Sequence, residues 1–277
     1  MRILLCTDLD RTLLPNGDAP ESPEARPRFR ALAARPEISL AYVTGRHREL
    51  VLDAIGDYGI PLPDYVIGDV GSTIYRVSDG HWTPSAEWSA HIAPDWGRRD
   101  RTALAALLAG VRGLRLQEPA KQAQHKLSYY TPPDWDQRCL LPEMDDLLAR
   151  HRVRANLIWS LDETTRTGLL DVLPASASKR HAIEFLMQEE GFAPGETVFA
   201  GDSGNDLAVL VSPIQATLVA NATEEVRGQA LAEARREGTS DSLYLARGGF
   251  QGMNGNYAAG ILEGVAHYLP AVAEWWD

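Results

Sequence analysis

The chain has 277 residues, enough for one large domain or two modest ones. Its composition, 44% hydrophobic and 23% charged, excludes a disordered, collagen-like or coiled-coil protein. With 27 Lys and Arg against 38 Asp and Glu the formal charge is −11, which argues against a nucleic-acid surface.

The first apolar run, residues 2–7, reads as a buried strand and meets Asp8 and Asp10 too soon for a signal peptide. A helix should follow, with Ser22 as N-cap, Pro23 at its first position and Pro36 beyond its end. Residues 38–43 form the next apolar strand, stopping at Thr44-Gly45-Arg46, and a helix is expected over 47–58. Short strands are expected over 65–69 and 72–75. Strand and helix in alternation indicate an α/β protein with a doubly wound, Rossmann-like parallel sheet.

The middle of the chain changes character. A helix over 96–109, strands near 114–117 and 126–131, a helix over 137–151 and a strand over 156–161 read as an α+β module. The basic cluster Arg98, Arg99 and Arg101 is flanked by Asp95 and Asp100 and reads as a solvated helix face. Residues 169–173 read as a return to the first pattern, with a helix from Lys179, a strand over 197–200 and a helix after Asn205. The expected organisation is a catalytic core of 1–82 and 169–277 with an inserted module over 83–168. The glycine-rich stretch 248–255 is a loop before a last helix. No apolar run can span a bilayer. Cys6 sits in a core strand and Cys139 has no metal-ligand neighbour, so a reduced cytoplasmic protein is expected.

Four groups of residues carry chemistry. Asp8 and Asp10 follow the first strand, and side chains two apart in an extended segment point the same way. Such carboxylates repel unless a cation or a shared proton intervenes; a solvated turn would also accommodate them. Gly201-Asp202-Ser203-Gly204-Asn205-Asp206 follows a buried strand and opens a helix. A capped helix start needs one short acceptor, not two acids four residues apart, whereas magnesium prefers several hard oxygens. Thr44 could offer its hydroxyl to a phosphate or merely cap a helix. Lys179 begins a helix, where a cation opposes the dipole and a bound anion would supply the missing reason. Phosphoryl transfer needs this combination, because it depends on positioning and on neutralising charge. No phosphate-binding glycine loop with Lys-Ser/Thr, dinucleotide fingerprint or zinc-binding His-Glu-x-x-His is present.

Taken in order, Asp8-x-Asp10-x-Thr12, Thr44-Gly45-Arg46, Lys179 and the 201–206 segment resemble the haloacid dehalogenase superfamily of phosphatases, in the subgroup with a large α/β cap. The resemblance implies Asp8 as nucleophile and Asp10 as acid and base. It implies Thr44, Gly45, Lys179 and Asn205 around the phosphate, and Mg2+ held by Asp8, the carbonyl of Asp10, Asp202 and Asp206. The stretches 70–75, 124–129, 171–174 with 178–179, and 259–264 look like the sucrose-phosphate phosphatase family. Arg11 and the 248–256 loop depart from that pattern.

The expected activity is hydrolysis of a phosphorylated disaccharide, sucrose 6-phosphate first, with other glycosyl phosphates or a phosphomannomutase-like reaction as alternatives. Arg46, His125 and Lys126 are the expected sugar contacts, although an edge-strand pair in solvent would also explain the last two. Trp82, Trp88 and Trp96 suit cap–core packing better than sugar stacking, and Trp275 and Trp276 read as terminal anchors. A monomer is expected, working with a glycosyltransferase that makes its substrate, with neither nucleic acid nor membrane as partner.

Overall fold

Alternating burial makes the first strand central. In β1 (Ile3–Thr7) every residue is buried, and successive side chains enter opposite layers: Ile3 and Leu5 join one hydrophobic cluster, Leu4 and Cys6 the other. The computed structural model describes residues 2–162 and 165–275. After β1 come α1 (Ala25–Ala33), β2 (Ile38–Val43), α2 (Arg48–Tyr58), β3 (Tyr65–Gly68), β4 (Thr73–Ser78), β5 (His81–Pro84) and α3 (Ala86–Ile92). The chain goes on through α4 (Arg101–Leu108), β6 (Arg115–Leu116), β7 (Leu127–Thr131), α5 (Gln137–Arg150), β8 (Ala155–Asp162) and β9 (Thr167–Pro174). It closes with α6 (Lys179–Glu190), β10 (Thr197–Gly201), α7 (Leu207–Leu210), β11 (Gln215–Leu218), α8 (Glu224–Glu237), β12 (Leu243–Leu245) and α9 (Ala258–Tyr268).

Among the described residues the strands form an eight-stranded sheet, β12-β11-β10-β1-β2-β3-β4-β5, and a four-stranded sheet, β6-β7-β9-β8. The large sheet is parallel from β12 to β3, and the β4–β5 hairpin continues it antiparallel. Phe29 and Leu32 of α1 and Ile261, Leu262 and Val265 of α9 cover one face. Ile183 and Leu186 of α6, Val209 and Leu210 of α7 and Trp88 of α3 cover the other. This is the doubly wound α/β architecture that the periodicity indicated.

The small sheet is antiparallel and has its own core, built from Leu104, Leu108, Met144, Leu148, Leu170 and Val172 with Trp96 and Trp135. Here one expectation fails. Residues 169–173 do not return to the large sheet; they lie in β9, the strand between β7 and β8. Strand–helix alternation cannot say which sheet a strand joins, because only pairing across long sequence distances decides it. The pairing of the small sheet therefore runs past residue 168 to Pro174, and β10 is the next strand of the large sheet. The helix expected over 96–109 begins at Arg101: Gly97 and Arg98 take positive φ, and Asp100 caps by accepting from Ala103 N–H at 2.8 Å. Ser22 does not cap α1, which starts at Ala25; its hydroxyl accepts from Asn254 N–H instead, holding the glycine-rich loop.

Trp88 and Trp96 are buried, in the large-sheet core and the small-sheet core respectively. Trp275 packs against the large-sheet cluster on the α1 and α9 face, with Arg35 over its ring. Trp276 lies outside the described residues. Among the described residues no helix is long and apolar enough to cross a membrane.

Candidate active site

β1, β2 and β10 are adjacent and parallel, so their carboxyl ends share one sheet edge, where open α/β sheets bind ligands. Asp8 leaves β1 with its N–H donating to Ala200 O of β10 at 2.9 Å, and its Oδ1 accepts from Leu9 N–H at 2.8 Å. Thr44 leaves β2 buried, its hydroxyl accepting from Arg46 N–H at 3.2 Å. Asp202 leaves β10, and the loop curls until Asp206 Oδ2 accepts from the N–H groups of Asp202 and Ser203, at 3.1 and 3.2 Å. That curl needs Gly201, where a Cβ would lie 2.6 Å from the Asp206 carboxyl.

Lys179 comes from another direction, at the start of α6 behind its N-cap Ser178. It follows a strand of the small sheet rather than a core strand, which sequence alternation could not reveal. Its ammonium lies 2.8 Å from Asp206 Oδ1, 2.9 Å from Asn205 Oδ1 and 3.2 Å from Asp8 Oδ2. These acceptors are the reason for a buried cation at a helix start.

Asp8, Asp202 and Asp206 are buried and each offers an oxygen within 4.8 Å of the others. Three carboxylates facing one ammonium leave an excess of two negative charges when all ionise. Burial pushes Asp8 up to about 8, with Lys179 pulling it back and the charges of Asp206 and Asp202 pushing further. Burial also lifts Asp202 to about 6, and Asp206 adds to the rise while Arg11 and Thr12 oppose it. Burial works against the Lys179 ammonium, yet Asp206 and Asp8 outweigh it and keep the group charged. Asp202 Oδ1 accepts from Thr12 Oγ1 at 3.1 Å. Its Oδ2 is buried without a hydrogen-bond partner, 3.5 Å from Arg11 Nε. An orphaned oxygen within a set of hard oxygen donors fits a divalent cation.

Asp10 is treated differently. Burial would raise it, but two hydrogen bonds and the charge of Arg46, with a third bond from Asn16, hold it below the usual carboxylate range. Arg46 Nη2 and Nε reach its two oxygens at 2.7 and 2.8 Å, and Asn16 Nδ2 donates to Oδ1 at 2.7 Å. The third Arg46 nitrogen, Nη1, donates to Leu50 O at 3.0 Å. The guanidinium expected to meet the sugar is thus engaged with Asp10.

Beside Gly45 opens a groove of about 490 Å3, within the range of small-ligand sites. Gly45, His47 and Leu50 form its core side; Tyr130, Asp171 and Ser160 come from strands of the small sheet, and Lys126 and Gln117 from positions next to its strands. His125 does not line it. Its Nε2 meets Ser89 Oγ at 2.8 Å and its ring packs on Trp96, because His125 sits in the tight turn closed by the Ala123–Lys126 bridge and not in the strand that follows. Sequence reasoning missed Asn16, Tyr130, Asp171 and Asp69. Two-residue spacing from Lys126 would have found Tyr130; nothing local marks Asp69 or Asp171.

The haloacid dehalogenase superfamily of phosphoric monoester hydrolases is the class that this fold and site define. Within it, the chain belongs to the family described as Sucrose-6F-phosphate phosphohydrolase, whose model matches residues 1–269. An HAD-like hydrolase of Nitrosococcus oceani is 54% identical over 276 residues, covering 100% of this chain and 74% of that protein. Sucrose-phosphatase 1 of Nicotiana tabacum is 28% identical over 275 residues; they are 96% of this chain and 59% of that longer protein. Mannosylfructose-phosphate phosphatase of Agrobacterium fabrum is 27% identical, with 96% of each protein covered. The sucrose-phosphatase structure from Synechocystis, in complex with sucrose and phosphate, gives a TM-score of 0.71 at 26% identity, over 97% of this chain and 98% of that one. A haloacid dehalogenase-like hydrolase of Bacillus subtilis, 17% identical with a TM-score of 0.65, shares the fold.

Proposed function

We propose that the chain hydrolyses a phosphorylated disaccharide, sucrose 6-phosphate first among them, through an aspartyl-phosphate intermediate and with magnesium. One observation carries the reading: the Lys179 ammonium bridges Asp8 and Asp206 inside a buried carboxylate trio. That arrangement suits a nucleophile facing a phosphoryl group.

An oxygen of Asp8 attacks phosphorus, and the bond from phosphorus to the sugar oxygen breaks. The sugar oxygen takes a proton from Asp10. A water then attacks the same phosphorus and gives its proton to Asp10, and the Asp8–phosphorus bond breaks to free inorganic phosphate. Thr44, the Gly45 N–H, Asn205 and Lys179 hold the phosphoryl oxygens. Magnesium, held by Asp8, the Asp10 carbonyl and Asp202 with Asp206 behind them, neutralises charge on those oxygens when bound. Both oxygens of Asp10 are engaged by Arg46, so Arg46 must loosen before Asp10 can donate a proton. This keeps the acid out of play until a substrate is in place.

The small sheet is the cap that selects the sugar. Its groove face presents an ammonium, a carboxylate, a phenol and an amide through Lys126, Asp171, Tyr130 and Gln117, which match the donors and acceptors of sugar hydroxyls. The chain acts as a monomer on a substrate made by a glycosyltransferase. Mannosylfructose phosphate is the second reading, favoured by the nearly full coverage of the Agrobacterium phosphatase. A phosphate-release screen with magnesium over sucrose, mannosylfructose, trehalose and hexose phosphates and glucosyl-phosphoglycerate decides among them. A flat, weak profile refutes the disaccharide reading, and dependence on a bisphosphate activator points to a mutase.

A further inference from the structure

The turn after β3 is strained in an unusual way. Asp69, Val70 and Gly71 take consecutive positive φ values of 52°, 60° and 93°. A β-branched residue in the left-handed region is a genuine outlier, and such strain persists only where the surroundings over-determine it.

The surroundings here are the active-site segments themselves. Asp69 N–H donates to Arg46 O at 3.1 Å and Val70 N–H to Thr44 O at 3.2 Å. Gly71 O accepts from Trp88 Nε1 at 3.1 Å. A Cβ on Gly71 would lie 2.4 Å from the Ser178 carbonyl carbon and 2.7 Å from Lys179 N. The turn is therefore wedged between the segment that presents Thr44 and Arg46 and the one that presents Lys179. The Asp69 side chain, 3% exposed, then crosses to the small sheet and meets Lys126 Nζ at 3.4 Å. Asp171 Oδ2 stands 3.7 Å from the same ammonium, on the groove.

We propose that Asp69 is a positioning residue: it docks the small sheet on the core by gripping Lys126, and the strained turn beneath it sets that ammonium in register with Thr44 and Lys179. The inference rests on the reading of the groove as the sugar site. Its consequence is that the sugar end and the phosphoryl end of one substrate are held at a fixed separation. Substrates that span the groove depend on the grip; a small phosphate ester does not.

The test is Asp69→Asn, which keeps the shape of the side chain and removes the charge facing Lys126. We expect kcat/KM to fall about tenfold or more for the preferred disaccharide phosphate, mostly through KM, and less than about twofold for p-nitrophenyl phosphate. Melting curves report whether the variant remains folded. Equal losses on both substrates, or none on either, overturn the proposal. A second readout does not depend on activity. Donor and acceptor dyes go on the exposed Cys139 of α5 and on Glu224→Cys at the start of α8, with Cys6 buried and unreactive. Asp69→Asn should shift energy transfer towards longer separations, and an unchanged distribution refutes the docking role. Should the wild type cleave p-nitrophenyl phosphate but no glycosyl phosphate, the substrate reading falls alone and the dye measurement still decides the docking.

Discussion

Replacing Asp8, the proposed nucleophile, should make the cation-free protein more stable while silencing it. Asp8 lies 4% exposed among carboxylates, and burial raises it from 3.8 to about 8. A carboxyl raised in the folded state holds its proton there while the unfolded chain has already lost it. Stability from this group is complete below about pH 4 and is lost as pH rises to about 8, at about 1.4 kcal/mol for each pH unit. Between pH 5 and pH 8 the ceiling is about 4 kcal/mol. Water entry, relaxation and the need to satisfy a buried amide in Asp8→Asn reduce the net gain to about 2 kcal/mol at pH 8. Lys179 keeps Asp206 and Asn205 as partners in that variant. Urea denaturation of wild type and Asp8→Asn, in chelator at pH 5 and pH 8, measures the effect. The wild type should lose stability over this interval, and the variant should overtake it at pH 8; magnesium should narrow the gap by supplying the missing positive charge. A wild type whose stability does not fall between pH 5 and pH 8, or a variant less stable at pH 8, refutes the charge argument. Phosphate release by the variant should be undetectable, and full turnover would remove Asp8 from its assigned role.

Excess chelator should stop phosphate release by the wild type and added magnesium should restore it, read in a continuous phosphate assay. Lys179→Met strips Asp8 and Asp206 of their shared ammonium, so turnover should drop on the order of 10³-fold. Chemical denaturation of the same variant at neutral pH should show about 3 kcal/mol lost in magnesium-free buffer. Gly71→Ala must place a methyl 2.4 Å from the Ser178 carbonyl carbon at a φ of +93°. It should cost about 2 kcal/mol or more in a melt and lower turnover on large and small substrates alike, because Lys179 moves with Ser178.

Much of the fold was legible because its causes are local. The burial of 3–7 and 38–43 follows from largely apolar runs, and the residues after them, Asp8 and Asp10 in one case and Thr44-Gly45-Arg46 in the other, are visible without any coordinates. The gathering of Asp8, Asp202 and Asp206 was readable for the same reason, since parallel strands in one sheet must bring their carboxyl ends to one edge. Short or weakly patterned elements escaped, among them α3, β11, α8 and β12. Trp96 suggested a continuous helix, and two positive-φ residues after it prevented one.

The sequence by itself determined the layered α/β core, the acids and the lysine that meet at its sheet edge, and the presence of a distinct middle module. Tertiary structure alone decided that β9 belongs to the small sheet, that Lys126 borders the groove while His125 turns from it, and that Arg46 grips Asp10. The division has a physical basis. Periodicity records how each residue meets its own neighbours along the chain. Which strand pairs with which, and which buried charge finds which partner, is settled by contacts between segments tens to nearly two hundred residues apart, such as Thr12 with Asp202 or Lys126 with Asp69.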